Sequence, residues 1–277
     1  MKLLTKVAAR CGIAFAVLAA AAPASALLPQ SWNGYHWART GALAIMLGNN
    51  INSTWAPYVA NAATQWSADQ HIDFVQSAGM TSASTCAPVY GTVQVCNGNY
   101  GATGWLGYAT VWTSGGSYIV QGTVKLNDYY FSWSKYNTPG FRALVACQEI
   151  GHTLGLAHAD ITYSNLNRGT CMDYTNDPTG TKGTNGTLSN MAPSATDFFN
   201  LDTIYAKLDT TQLAYTKPQY VTSDAFGIEG APDVDSDPQP LPEPSSWATM
   251  LAGFGALGMA MRRRKQAKQA VVPVFAN

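Results

Sequence analysis

The stretch Gln148-Glu149-Ile150-Gly151-His152-Thr153-Leu154-Gly155-Leu156-Ala157-His158 restricts the fold of this 277-residue chain more than any other. Positions 148 and 152 lie one helical turn apart and share a face. Gly155 lets the chain turn sharply, so that His158 can return toward that face. The outcome is a site with three metal donors and an open fourth position for water, with Glu149 beside it as a general base. The segment has to sit on a helix. Thr138-Pro139 supplies a cap followed by proline at the first helical position, which predicts a helix from Pro139 to about Leu154, ended by Gly155.

This pattern resembles that of the metzincin metalloproteases, His-Glu-x-x-His-x-x-Gly-x-x-His followed by a methionine turn. The chain matches at Glu149, His152, Gly155 and His158, and Met172 follows within Thr170-Cys171-Met172-Asp173-Tyr174. Tyr174 stands two residues after Met172, like the tyrosine that assists catalysis in the astacin and serralysin branches. The resemblance covers residues 30 to 215. It implies an α/β fold: a twisted mixed sheet, an active-site helix and a C-terminal helix. It also implies a Zn2+ cofactor, a peptide or protein substrate, Glu149 as general base, Tyr174 as oxyanion stabiliser, and Met172 beneath the metal.

The departure is Gln148, which occupies the place of the first zinc-binding histidine. A neutral amide oxygen is a poorer zinc ligand than imidazole. Three outcomes stay open: Gln148 ligates the metal together with His152 and His158; Asp160, His36 or His71 takes its place; or the site has lost zinc. In the last case the chain is a non-catalytic surface protein that keeps the fold to bind extracellular polymer or peptide. Retention of Glu149 favours the enzyme, because a binding module has no need of a general base.

The rest of the body reads as one domain. Trp55, Tyr58, Val59, Ala62, Ala63 and Trp66 recur at helical spacing within Ser53–Asp69, with Ser53 or Thr54 as cap. Ile72–Gln76 reads as a strand. Tyr108–Thr113, Tyr118–Val120 and Thr123–Leu126 read as short strands of one sheet, and Ala195–Leu208 as a helix capped by Ser194. Cleavage of an N-terminal signal would remove Cys11 and leave Cys86, Cys96, Cys147 and Cys171. An even number in an exported chain reads as disulfides, with three connectivities possible. Cys86–Cys96 closes a short loop most easily, and Cys147–Cys171 then follows by exclusion.

Both ends carry addresses. Residues 1–26 look like a secretory signal: Lys2, Lys6 and Arg10, an apolar run from Gly12 to Ala22, and Ala24-Ser25-Ala26 as cleavage site. Residues 27–223 form the metalloprotease-like domain, and 224–241 an acidic, proline-rich linker. Residues 242–265 hold Pro242-Glu243-Pro244, an apolar stretch from Trp247 to Met261, and Arg262-Arg263-Arg264-Lys265. This tail resembles the PEP-CTERM sorting signal. It implies a short membrane helix with transient inner-membrane anchoring, processing by an exosortase-type enzyme, and a periplasmic, cell-surface or extracellular destination. Residues 266–277 extend beyond it. The formal net charge of zero hides an uneven distribution. Setting aside three basic residues at the front and five in the tail leaves eight against sixteen acidic ones, a body near −8. Such a body argues against nucleic acid as a partner.

Overall fold

The computed structural model describes residues 31–209 and 219–227. Within them the chain runs β1 (His36–Trp37), β2 (Leu43–Asn50), α1 (Ala56–Trp66), β3 (Ile72–Ala78), β4 (Thr92–Gly98), β5 (Trp105–Ser114), β6 (Tyr118–Asn127), α2 (Asp128–Phe131), α3 (Pro139–His152), α4 (Ala195–Tyr205) and β7 (Gln219–Gly227). The strands form one mixed sheet in the order β3-β2-β4-β6-β5-β7, with β1 paired to the start of β6. β3, β2, β4 and β6 are parallel neighbours, and β5 is antiparallel to both β6 and β7. This is the expected α/β architecture.

Strand β4 shows how the sheet is covered. Six of its seven residues are buried, as befits a central strand shielded on both faces. Val93 and Val95 join the hydrophobic core under the helices. Gln94 and Cys96, pointing the other way by the two-residue alternation, meet the loop after β3. Cys86 is bonded to Cys96 there, and Gln94 Oε1 accepts from the backbone N–H of Met80.

Helices α1 and α3 fill the core side. α1 buries Val59, Ala62, Ala63 and Trp66, each large side chain contributing roughly 1.5–3 kcal/mol. Its start differs from expectation. Neither Ser53 nor Thr54 caps it; Asn52 Oδ1 accepts from the N–H groups of Thr54 and Trp55, and the helix begins at Ala56. α3 is buried nearly throughout. Its start is as read: Thr138 Oγ1 accepts from Phe141 N–H, with proline in the first turn. The buried Arg142 lies over the rings of Trp55 and Phe131, at 4.8 and 4.9 Å, and donates to Asn137 Oδ1. Ser194 forms a reciprocal capping box with Asp197 at the start of α4.

The two runs read as Tyr118–Val120 and Thr123–Leu126 are one strand, β6; Gly122 between them is tolerated inside a sheet packed closely on its neighbours. β1, β2, β4, α2 and β7 have no counterpart among the runs read from the sequence. β7 also takes Asp224–Gly227, whose composition suggests linker, into the sheet. The N-terminal stretch read as a secretory signal and the sorting tail lie outside the described residues. Among the described residues no helix is long and apolar enough to cross a membrane.

Candidate active site

Three constraints hold α3 against α1 and against the chain that follows. Cys147 is bonded to Cys171, with Cα atoms 5.9 Å apart. The Trp66 indole N–H donates to the Cys147 carbonyl at 2.9 Å. A Cβ added at Gly151 would meet Met172 Sδ at 2.7 Å and Trp66 Cζ2 at 2.6 Å, so glycine is what lets the methionine turn lie against the helix. Met172 is fully buried there. Gly155 has φ +89°, and a Cβ on it would collide with the Tyr35 carbonyl oxygen. The left-handed turn and the close approach of the N-terminal segment therefore both require glycine.

Beyond that turn the chain comes back. Ala159 N–H donates to the Met172 carbonyl and Tyr174 N–H to the Asp160 carbonyl, lacing the segment after His158 to the methionine turn. The Nε2 atoms of His152 and His158 lie 3.0 Å apart. His152 Nδ1 lies 2.8 Å from the Leu156 carbonyl oxygen. A carbonyl only accepts, so Nδ1 carries the proton and the Nε2 lone pair is turned toward His158. Burial pushes the His152 imidazole down to about 4. The His158 imidazole is held well below its ordinary value by burial and then by His152. Both rings are therefore neutral, the form that donates to a metal.

Gln148 and Glu149 are fully buried on the same helix. Neither amide atom of Gln148 has a hydrogen-bond partner among the described residues. An unpaired buried amide costs on the order of 1–3 kcal/mol, and the Gln148 amide oxygen, one turn before His152, is a donor suited to a metal ion. Glu149 Oε1 accepts from the backbone N–H of Phe226 at 3.1 Å. Gly107 of β5 sits opposite, where a Cβ would come within 2.5 Å of Oε1. The Tyr174 ring packs against His158 with centroids 4.7 Å apart.

The other metal-donor candidates are occupied elsewhere. His36 has Nδ1 2.8 Å from the Gly34 carbonyl and Nε2 3.8 Å from Asp209. His71 lies between Arg39 and Asp202. Asp160 pairs with Arg168 at 2.9 Å and accepts from Thr162 N–H. Among the described residues no three His, Cys, Asp or Glu side chains converge on one point; His152 and His158 meet at their Nε2 atoms, and Gln148 is buried one turn before His152 on the same helix.

The structure adds residues that sequence reasoning missed. Phe226 and Gly227 at the end of β7, Tyr163, and Gly107 all touch the site. Phe226 is fully buried, its ring 4.5 Å from that of Tyr174 and 5.8 Å from that of Tyr163. A signal existed in Tyr220-Val221-Thr222, a strand-forming run, but the acidic, proline-rich composition that begins at Asp224 hid it.

Residues 240–265 match the PEP-CTERM protein-sorting motif. The motif marks the chain for export and sorting to the cell surface. No curated protein matches the chain. Among solved structures, the chain is similar to myroilysin, with 15% identity and a TM-score of 0.37, over 64% of this chain and 98% of that one. It is also similar to high choriolytic enzyme 1, a hatching-enzyme zinc protease of the medaka fish Oryzias latipes. That likeness has 14% identity and a TM-score of 0.35, over 62% of this chain and 94% of the other.

Proposed function

We propose that this chain is an exported, zinc-dependent metalloendopeptidase in which Gln148, His152 and His158 hold the metal. One observation carries the reading: a buried Gln148 amide with no hydrogen-bond partner among the described residues, one turn before His152, whose neutral imidazole meets that of His158 with Nε2 atoms 3.0 Å apart. A zinc ion held there supplies Lewis acidity to a peptide carbonyl and to a water.

The protein's own groups do the remaining work. Glu149 takes the water's proton and passes it to the leaving amine. The Tyr174 phenol, fixed by its ring contact with His158, donates to the oxygen on which negative charge develops. Leu156 holds His152 in one tautomer and orientation through the Nδ1 hydrogen bond. Met172 and Trp66 form the floor on which the helix rests. The sorting tail delivers the domain through an exosortase-type enzyme, with transient anchoring in the inner membrane.

Glu149→Gln tests the assignment. It removes the base while keeping shape, so the protein should still bind zinc and should lose peptide hydrolysis by roughly two to four orders of magnitude. Hydrolysis at the wild-type rate would remove Glu149 from this role.

A further inference from the structure

Strand β7 covers the edge of the sheet beside Glu149. β5 has β6 on one side, and its other edge is covered by β7 in antiparallel register, with Tyr108 opposite Ala225, Gly107 opposite Phe226 and Trp105 opposite Gly227. That edge runs past Glu149, since Gly107 is the residue whose missing side chain makes room for the carboxylate. At the end of β7 the backbone engages both groups to which chemistry is assigned. Phe226 N–H donates to Glu149 Oε1 at 3.1 Å, and Gly227 N–H lies 3.4 Å from Tyr174 Oη. Tyr163 closes the arrangement by donating its hydroxyl to the Gly227 carbonyl at 2.6 Å. The Phe226 side chain is fully buried against the Tyr163 and Tyr174 rings.

We propose that β7 is a resident occupant of the peptide groove. Residues 219–227 keep the site closed to substrate, and when they leave, the groove takes an extended peptide antiparallel to β5 with an aromatic side chain in the place of Phe226. The inference rests on the peptidase reading for the identity of the groove. Its physical basis is exclusion. The β5 edge has one row of backbone donors and acceptors, and a second strand cannot pair with it while β7 does. Pairing along the backbone is indifferent to sequence, so selectivity falls to a side chain such as that of Phe226, buried against the Tyr174 ring. β7 is also the last described element before the sorting motif at 240–265, so the occupant and the anchoring tail share one stretch of chain.

The test uses the full chain and a fluorescent peptide with the sequence of residues 219–227, followed by anisotropy. In the wild type the tethered strand competes with the peptide. Phe226→Asp puts a charge into the aromatic pocket and releases the strand, so the peptide should bind roughly tenfold to a hundredfold more tightly than to the wild type. Phe226→Leu should stay close to the wild type. Hydrogen exchange at the β5 amides that face β7 should rise in Phe226→Asp alone. Equal peptide affinity for wild type and Phe226→Asp, with both folded by circular dichroism, overturns the proposal.

Should Phe226→Asp fail to fold, a cysteine pair at Tyr108 and Ala225, which face each other in the register, decides instead. The oxidised lock should abolish the residual peptide binding of the wild type, and binding undiminished by the lock overturns the proposal. Hydrolysis of an unrelated protein substrate separates the two readings. If peptide binding follows the expected order and no variant hydrolyses substrate, the occupant stands and the peptidase assignment falls. If all variants hydrolyse substrate equally and bind the peptide equally, the peptidase stands and the occupant falls.

Discussion

Gly107→Ala puts one methyl group where the structure has no room for it. The new Cβ would lie 2.5 Å from Glu149 Oε1, 2.6 Å from Glu149 Cγ and 2.5 Å from Val145 Cγ1. Ordinary carbon contacts begin near 3.5 Å, so the overlap is about 1 Å on each side. Both neighbours belong to α3, which the Cys147–Cys171 disulfide and the Trp66 hydrogen bond hold in place. The helix cannot retreat, and the carboxylate has to swing aside. Overpacking of this kind costs about 1–3 kcal/mol, offset by about 0.5–1 kcal/mol because alanine loses less freedom than glycine in a strand.

A net loss of about 1–2 kcal/mol lowers the melting temperature by roughly 3–6 °C for a domain of this size. Hydrolysis should fall much further than stability, since the displaced group is the proposed base. Gly122→Ala on the adjacent strand is the control. Its Cβ would meet Thr153 and Val93 at 3.4 Å, ordinary contact, and should leave melting temperature and activity near wild type. Melting curves and peptide hydrolysis on the two variants decide. Wild-type activity in Gly107→Ala would refute the placement of Glu149 against β5.

Other perturbations probe other parts of the account. Replacing Cys147 and Cys171 by serine opens a loop of sequence separation 24 and should cost about 3.5 kcal/mol, read by urea denaturation; an unchanged midpoint would mean that the bond braces nothing. Deleting Pro242 to Asn277 should remove the membrane-associated precursor and send the domain directly to the periplasm or medium. Cell fractionation checks this, and the same membrane-bound species with and without the tail would contradict it.

How much was legible in the sequence varies with the physics of each element. Helix α3 announced itself because its signals are local: a threonine cap, a proline in the first turn and a glycine at the far end. Capping in α4 was legible for the same reason, through Ser194. The start of α1 was misread, since Ser53 and Thr54 are capping types, yet the helix begins at Ala56 with Trp55 at its N-cap position and no side-chain cap. The proposed donor set rests on chemistry read from the sequence, and the surroundings of its alternatives were not legible there. Nothing in the sequence says that His36 is drawn to Asp209 or His71 to Asp202, partners more than a hundred residues away. β7 was invisible for a related reason. Its stability comes from pairing with β5, over a hundred residues earlier, while its own composition blends into an acidic, proline-rich stretch.

The central claim is that a glutamine amide completes a zinc site with two histidines. Calorimetric zinc titration of the full chain and of its Gln148→His and Gln148→Ala variants tests it most directly. A third imidazole is a better donor than an amide, and alanine is no donor at all. The account predicts that affinity ranks Gln148→His above wild type above Gln148→Ala. A wild type that takes up no zinc, or a Gln148→Ala variant that binds it as tightly as the wild type does, would contradict it.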